Sequence, residues 1–189
     1  MIYCLQFLSH WLYNKEYLDT FAKHYRTGEV IPDEMFQELV AERSRRSPEM
    51  LLQRIYENTL ELELHSTFDP RGSKSIFDLQ KEMCEKYTPY NTSLLKKGDL
   101  SKFSLIFGTD PGEPAFRYRY LWAEVMSLDA YSAFEDVGLD NTEETKRLGR
   151  LFREIFFSKG GSASSSELFR KFRGRDPSIK SFMSWHSLD

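Results

Sequence analysis

The sequence predicts an all-α fold, and three observations support that prediction. Apolar residues recur at helical spacing through most of the chain, most regularly at Leu148, Leu151, Phe152, Ile155 and Phe156. Side chains and prolines typical of helix starts, and glycines typical of helix ends, separate these periodic stretches. Finally, 189 residues with 40% hydrophobic and 29% charged content are typical of one globular domain, which we expect to span residues 1–189.

Four helices are predicted in the first half of the chain. Each boundary is inferred from a residue type with a defined preference: glycine after a helix, proline in its first turn, and serine as a hydroxyl cap. The first helix is expected to run to about Tyr25 and to stop at Gly28. The other three are expected to begin at Pro32, Ser47 and Ser75.

The first predicted helix is apolar on nearly all sides. Its apolar residues include Leu5, Phe7, Leu8, Trp11 and Leu12. The segment has neither the basic region nor the small-residue cleavage site of a signal peptide, so we interpret it as a helix of the folded protein. A helix with this pattern is typically buried, although this one lies at the start of the sequence.

The second half of the chain is predicted to contain one long irregular segment followed by helices. Residues 88–114 hold many prolines and glycines, and a loop of that length in a compact domain is usually functional or disordered. Two capping boxes, Asn141 with Glu144 and Ser164 with Glu167, predict the starts of two late helices. A last short helix is expected after the final proline.

The stretch "AFRYRYLWAEV", residues 115–125, allows two interpretations. Alternating aromatics and arginines could form an RNA-stacking strand, but that use requires a sheet or a basic groove. The chain carries a net charge of -3 from 26 basic and 29 acidic residues, which argues against a nucleic-acid partner. As a helix, the stretch has one apolar face, formed by Tyr118, Leu121, Trp122, Val125 and Met126. We therefore predict a helix here.

The residues that could carry metal or nucleophilic chemistry do not form a motif in this sequence. The histidines are scattered and no HExxH occurs, and the cysteines, Cys4 and Cys84, lack both a finger spacing and a disulfide framework. The paired carboxylates, such as Glu61 and Glu63, are expected to be solvated on helix surfaces. No segment approaches the ~20 apolar residues of a membrane span.

Several stretches, in the right order and nearly end to end, resemble one family of zinc metallopeptidases. The stretches are "QFLSHWLYNKEYLDTFAKHYRTGEVIP", "LELELH", "YLWAEVMSLDAYSAF" and "FFSKGGSASSSELFRKFRGRDPSI". They are similar to the C-terminal part of the thimet oligopeptidase and oligopeptidase A family, which includes peptidyl-dipeptidase Dcp and mitochondrial intermediate peptidase. The resemblance implies an enzyme family that hydrolyses short peptides.

The resemblance also implies a fold and a cofactor. Relatives are all-α, with two helical halves around a deep channel, and this chain resembles the C-terminal helical portion that forms one side of it. Zinc is held there by HExxH and by a later Glu, whose position falls on Ile2 when Gln6 is matched to the family's Gln. We therefore expect the HExxH half to precede this sequence, no zinc ligand in residues 1–189, and no activity from this chain alone.

The resemblance assigns candidate site residues to the irregular segment and the helix after it. Relatives carry a glycine-rich loop here, whose His and tyrosines contact the substrate and the developing oxyanion. The His position is Leu105 in this sequence, and two tyrosine positions are Glu113 and Arg117, so the site is degenerate. Tyr118 and Tyr120 remain, and Tyr120 matches the tyrosine that donates its hydroxyl toward the tetrahedral intermediate.

Two functions therefore stay open at this point. The chain is either a fragment or degenerate copy of a peptidase catalytic domain, or a non-catalytic module that binds peptides or proteins through a former peptidase channel. In relatives a larger helical body covers the surface formed by Phe7, Leu8, Trp11 and Leu12, so we expect that surface to be exposed and to favour self-association or pairing with a full-length relative. The expected location is the cytoplasm, or the mitochondrion for a longer parent chain.

Overall fold

A computed structural model describes residues 2–45, 47–87, 100 and 114–188. All regular structure among these residues is helical, apart from one isolated bridge between Lys23 and Val30, which confirms the predicted all-α class. None of the helices in this part of the chain is both long and apolar enough to cross a membrane. The helices are α1 (Ile2–His10), α2 (Lys15–Phe21), α3 (Asp33–Arg45), α4 (Ser47–Ser66), α5 (Ile76–Tyr87), α6 (Arg119–Val137), α7 (Thr142–Phe152), α8 (Ser165–Arg173) and α9 (Lys180–Trp185).

The chain divides into two compact units. The first, called the terminal unit here, comprises residues 1–45 and 122–189, and the second, the middle unit, comprises residues 46–121. The expectation of one domain over residues 1–189 stays a prediction. The predicted irregular segment, residues 88–114, lies outside the described residues except at Leu100 and Pro114.

The terminal unit is built around an aromatic core. One side of α6 contributes Met126, Ala130 and Phe134, and α1, α7 and α8 surround it with further apolar side chains. Within this core the ring of Phe7 stacks on that of Phe152 with centroids 4.0 Å apart. Contacts of this kind add about 0.5–1.5 kcal/mol to the free energy gained by area burial alone.

The middle unit is a smaller helical pair. α4 and α5 pack through Tyr56 and Leu60 of the first helix and Leu79 and Met83 of the second. A turn joins the two helices, in which the backbone N–H of Arg71 donates to Asp69 Oδ1 at 2.9 Å. This unit also contains the first three residues of α6.

The predicted caps of the late helices are confirmed. The Asn141 side chain accepts a hydrogen bond from the Glu144 N–H at the start of α7, and Ser164 accepts one from Glu167 at the start of α8. Gly174 has φ 72° and ends α8, a backbone conformation that glycine adopts without steric cost. These boundaries depend on residues close in sequence, which is why the pattern identifies them.

The prediction of one continuous first helix to about Tyr25 is wrong. α1 ends at His10, a short 3₁₀ turn covers Trp11–Tyr13, and α2 begins after Asn14. Asn14 has an extended backbone and its side chain accepts from the N–H of Tyr17 at 2.8 Å, so it caps a new helix instead of continuing the first. Gly28 lies in a later turn with φ 76°, not at the end of α2.

The expectation that the first helix presents a wholly exposed apolar surface is wrong for its most aromatic part. Phe7 is 4% exposed, and Trp11 packs edge-on against Tyr131 and Phe134 at 5.4 and 5.3 Å between ring centroids. Residues of α6 and α7 that lie far away in sequence cover these rings. Only the other side of the segment, at Leu5, Leu8 and Leu12, is 65%, 48% and 42% exposed.

Candidate functional site

The candidate site lies in the middle unit, where the chain enters α6. A turn precedes this helix: the N–H of Arg119 donates to the carbonyl of Phe116, and that of Tyr120 donates to the carbonyl of Arg117, both at 3.2 Å. Ala115, just before the turn, has φ 57°, a left-handed conformation that is uncommon for a residue other than glycine. The local backbone is therefore held in a defined shape by contacts outside the helix.

The two tyrosines assigned by resemblance both lie at this helix start and are accessible. Tyr118 is 43% and Tyr120 is 45% exposed. Arg119 Nη2 donates to the hydroxyl oxygen of Tyr120 at 3.1 Å, and the same guanidinium lies 4.6 Å from the ring centre of Phe116. A phenol can accept one such bond while its own O–H acts as a donor, which is the capacity that a carbonyl-binding role requires.

Arg117, one of the positions that the resemblance marks as degenerate, is tied to α4. Its guanidinium forms an ion pair with Glu57, with Nη2 2.5 Å from Oε2, and its backbone N–H donates to Glu61 Oε2 at 2.9 Å. The side chain therefore makes an internal contact at the place where relatives are expected to present a tyrosine. The other degenerate positions, Leu105 and Glu113, lie outside the described residues.

Glu61 is the residue of this site that the sequence did not reveal. We expected it to be solvated, and that expectation is wrong, because the side chain is 0% exposed. Alternation in "LELELH" gave no sign of burial, since the group that binds Glu61 is the Arg117 backbone, which lies far away in sequence. The spacing of residues along one helix cannot identify a hydrogen-bond partner that lies far away in sequence.

A cavity of about 300 Å³ lies against these residues. Its lining comprises Arg54, Glu57, Asn58, Glu61, Arg117, Arg119, Tyr120 and Leu121. Three arginines and two glutamates therefore meet beside one accessible phenol. Such an arrangement can bind carbonyl or carboxylate oxygens through N–H and O–H donors, which is the chemistry that a peptide backbone offers.

The described residues do not fit a zinc ion. In the parts of the chain that the structure describes, no group of three His, Cys, Asp or Glu side chains could hold a metal ion. The histidines have other contacts: His10 with Ser127 at 2.9 Å, His24 with Thr27 at 3.2 Å, His65 with the carbonyl of Glu61 at 2.9 Å, and His186 with Glu124 at 2.9 Å. We therefore derive no chemical step through zinc from these residues.

Comparison with known proteins places these observations in one family. The model of peptidase family M3 matches residues 5–188. Organellar oligopeptidase A, chloroplastic/mitochondrial, from Arabidopsis thaliana is 39% identical over 173 residues, which cover 92% of this chain and 22% of the relative. Oligopeptidase A from Escherichia coli is 30% identical over 183 residues, 97% of this chain and 26% of the relative.

The similarity extends to proteins named for different compartments. A relative named "Probable cytosolic oligopeptidase A", also from Arabidopsis thaliana, is 38% identical over 92% of this chain and 24% of its own length. The chain spans about a quarter of the length of the curated relatives it matches. Since the family model covers nearly the whole sequence, the chain belongs to peptidase family M3.

Proposed function

We propose that this chain is a substrate-contacting part of an M3 oligopeptidase catalytic domain that acts on short peptides. The observation that carries the proposal is Tyr120, one of two accessible tyrosines at the start of α6, which lines a cavity rich in hydrogen-bond donors. Relatives with the name oligopeptidase A match nearly all of this chain, which supports the same substrate class. Its proposed location is the cytoplasm, or the mitochondrion for a longer parent chain.

The proposed role of Tyr120 is to donate its hydroxyl proton in a hydrogen bond to a peptide carbonyl oxygen. Donors fixed in advance near a carbonyl stabilise the negative charge that develops on its oxygen during hydrolysis. Arg119 Nη2, which donates to the same phenol oxygen, draws electron density from it and makes the phenol a better donor. Tyr118, two residues earlier, offers a second accessible phenol.

Hydrolysis itself is proposed to require metal ligands from polypeptide other than these 189 residues. The described residues offer no group that fits the metal, so the chain alone is expected to bind peptide without cleaving it. Peptide binding and hydrolysis are different measurements, so the two parts of the proposal can be tested separately.

Peptide binding by the purified chain tests the substrate role. We expect a fluorescent short peptide to bind, and Tyr120→Phe to weaken binding about five-fold, the equivalent of one net hydrogen bond of about 1 kcal/mol. Tyr25→Phe removes a hydroxyl from an 81% exposed tyrosine in the terminal unit and serves as the matched control. Equal affinities for the two variants, or no binding by the parent chain, would contradict the proposed role.

Peptide hydrolysis by the same preparation tests whether the metal ligands must come from other polypeptide. An internally quenched peptide is expected to stay intact with the chain alone, with and without added zinc. Cleavage that a chelator abolishes would show that these 189 residues hold a working metal site, and would refute that part of the proposal.

A second candidate function is a non-catalytic module that pairs with another copy or with a longer relative. The observation that favours it is the exposed row of Leu5, Leu8 and Leu12 on α1 and the turn after it. Sedimentation velocity of the parent chain and of Leu5→Ser/Leu8→Ser tests this function. We expect a concentration-dependent dimer that the double change abolishes and that Leu39→Ser, a change at a 43% exposed leucine of α3, leaves intact. A monomer at all concentrations would exclude self-association.

A further inference from the structure

Glu61 is a buried carboxylate with a backbone partner on a distant segment. It lies in the last turns of α4, is 0% exposed, and its Oε2 accepts the N–H of Arg117 at 2.9 Å. An ionised carboxylate loses its water on burial, so such a residue is stable only where donors replace the water. A hydrogen bond between a backbone N–H and a carboxylate is roughly twice as strong as one between neutral groups.

Glu57, one turn before Glu61 on α4, also contacts Arg117. Residues four apart on a helix share a face, so the two carboxylates project together toward the segment that enters α6. Glu57 Oε2 pairs with the guanidinium of Arg117 at 2.5 Å, while its Oε1 accepts from Gln53 Nε2 at 2.9 Å. The pair is well shielded, with side chains 24% and 22% exposed for Arg117 and Glu57.

Arg117 is therefore fixed at both its backbone and its side chain, immediately before the two tyrosines. In the turn that begins α6 the N–H of Tyr120 donates to the carbonyl of Arg117, so the location of one residue sets that of the other. A carboxylate close to the N-terminus of α6 is also favoured by the positive end of that helix's dipole. These contacts connect α4 to the direction in which Tyr118 and Tyr120 point.

We propose that Glu61 and Glu57 are positioning residues, which hold Arg117 so that Tyr118 and Tyr120 face the substrate. The consequence for peptide affinity rests on the proposed function of the tyrosines, whereas the backbone contact does not. The resemblance assigns a substrate-contacting tyrosine to the position of Arg117. Arg117 instead anchors the start of α6 to α4. The orientation of the substrate-contacting tyrosines then depends on α4, through these two carboxylates.

Amide hydrogen exchange measured residue by residue in the full chain tests the backbone contact. Glu61→Leu keeps the approximate size of the side chain and removes the acceptor, so exchange at the Arg117 and Tyr120 amides is expected to be at least ten-fold faster. Glu61→Gln retains an acceptor oxygen and is expected to restore exchange to within about three-fold of the parent chain. A merely space-filling role would make Leu as good a replacement as Gln. Glu63→Gln, on the same helix, is the control and should change neither amide.

Peptide affinity of the same variants connects the contact to the site. We expect Glu61→Leu to weaken peptide binding by about as much as Tyr120→Phe, roughly five-fold, and Glu61→Gln to bind like the parent. Unchanged exchange in Glu61→Leu, or faster exchange with unchanged peptide affinity, would overturn the proposal. If the parent chain binds no peptide, the proposed function fails while the exchange result still reports on the backbone contact.

If Glu61→Leu does not fold, Glu57→Gln tests the positioning role instead, because it removes the ion pair with Arg117 and leaves Glu61 in place. It is then expected to speed exchange at the Arg119 and Tyr120 amides, which donate to the carbonyls of Phe116 and Arg117, by at least three-fold, with the Arg117 amide still protected. Exchange at the Arg119 and Tyr120 amides equal to that in Glu63→Gln would overturn the role of the ion pair, and with it the proposal.

Discussion

The packing of α1 can be decided by two neighbouring substitutions. Phe7 and Leu8 are adjacent in sequence, but Phe7 is 4% exposed and Leu8 is 48% exposed. The ring of Phe7 lies 4.0 Å from that of Phe152 and 5.4 Å from that of Phe134, between ring centroids. Phe7→Ala therefore removes a ring from a filled core, whereas Leu8→Ala removes a side chain that water already reaches.

The expected costs differ several-fold. Truncation of a buried phenylalanine to alanine costs about 3–5 kcal/mol, because the lost burial is followed by a cavity that closes only in part. For a chain of this size, 1 kcal/mol shifts the midpoint of thermal unfolding by about 2–4 °C, so Phe7→Ala should lower it by roughly 6–20 °C. Leu8→Ala should cost less than about 1 kcal/mol, since surface substitutions seldom exceed that.

Tryptophan fluorescence is the appropriate assay, because Trp11, Trp122 and Trp185 all belong to the terminal unit. A thermal melt followed at this signal reports the unit that contains α1, even if the middle unit unfolds separately. Equal midpoints for the two variants would refute the packing described here and would support the earlier expectation of an exposed Phe7.

Three further outcomes are expected. Asp129 is 0% exposed and accepts hydrogen bonds of 2.5 and 2.6 Å from Arg175, whose side chain is 44% exposed, so Asp129→Ala should cost about 1.5–3 kcal/mol through the lost charge-assisted bonds, as measured by the urea midpoint. Burial lowers the pKa of His10 to about 4, so between pH 6.5 and 4 the unfolded chain binds a proton that the folded chain does not. The free energy of unfolding should therefore fall by roughly 3 kcal/mol as the pH decreases through that window. His10→Gln should lack this loss when the unfolding free energies of the two proteins are compared over the same pH range. Zinc added to the chain and dialysed away should leave well below one ion per chain by elemental analysis, because the described residues provide no three-ligand group.

The parts of the fold that the sequence predicts are those determined locally. The Asn141 and Ser164 caps satisfy backbone groups three residues away, and the apolar repeat of α7 needs no distant partner to be read. The break at Asn14 is also local, but asparagine within an apolar stretch is compatible with both a helix and a cap, and the pattern favoured the helix. The capping bond to Tyr17 shows which of the two the chain adopts.

The parts that the sequence misses depend on distant contacts. Burial of Phe7 requires Phe152, and burial of Glu61 requires the backbone of Arg117. Neither partner leaves a periodic signal near the residue it covers, so an apolar α1 looked unpartnered and a glutamate in an alternating stretch looked solvated. In the candidate site, resemblance identified Tyr118 and Tyr120, but the contacts of Arg117 with α4 join residues distant in sequence and leave no periodic signal.

The Arg117 position gives the last prediction, since it separates substrate contact from chemistry. Arg117→Tyr returns the phenol that the resemblance assigns to this position and keeps the backbone N–H that Glu61 accepts. It removes the ion pair with Glu57, whose carboxylate keeps its bond from Gln53, so the cost in stability should be about 1–2 kcal/mol. Peptide affinity should fall, because the ion pair that holds Tyr118 and Tyr120 is lost, but by less than the roughly five-fold expected for Glu61→Leu, because the Glu61 contact is kept and a donor is added. Turnover should remain absent, since a phenol stabilises a developing charge but supplies no activated water. Chelator-sensitive cleavage by this variant, measured with a quenched peptide and compared with the parent chain, would contradict the proposal that the catalytic metal ligands lie outside these residues.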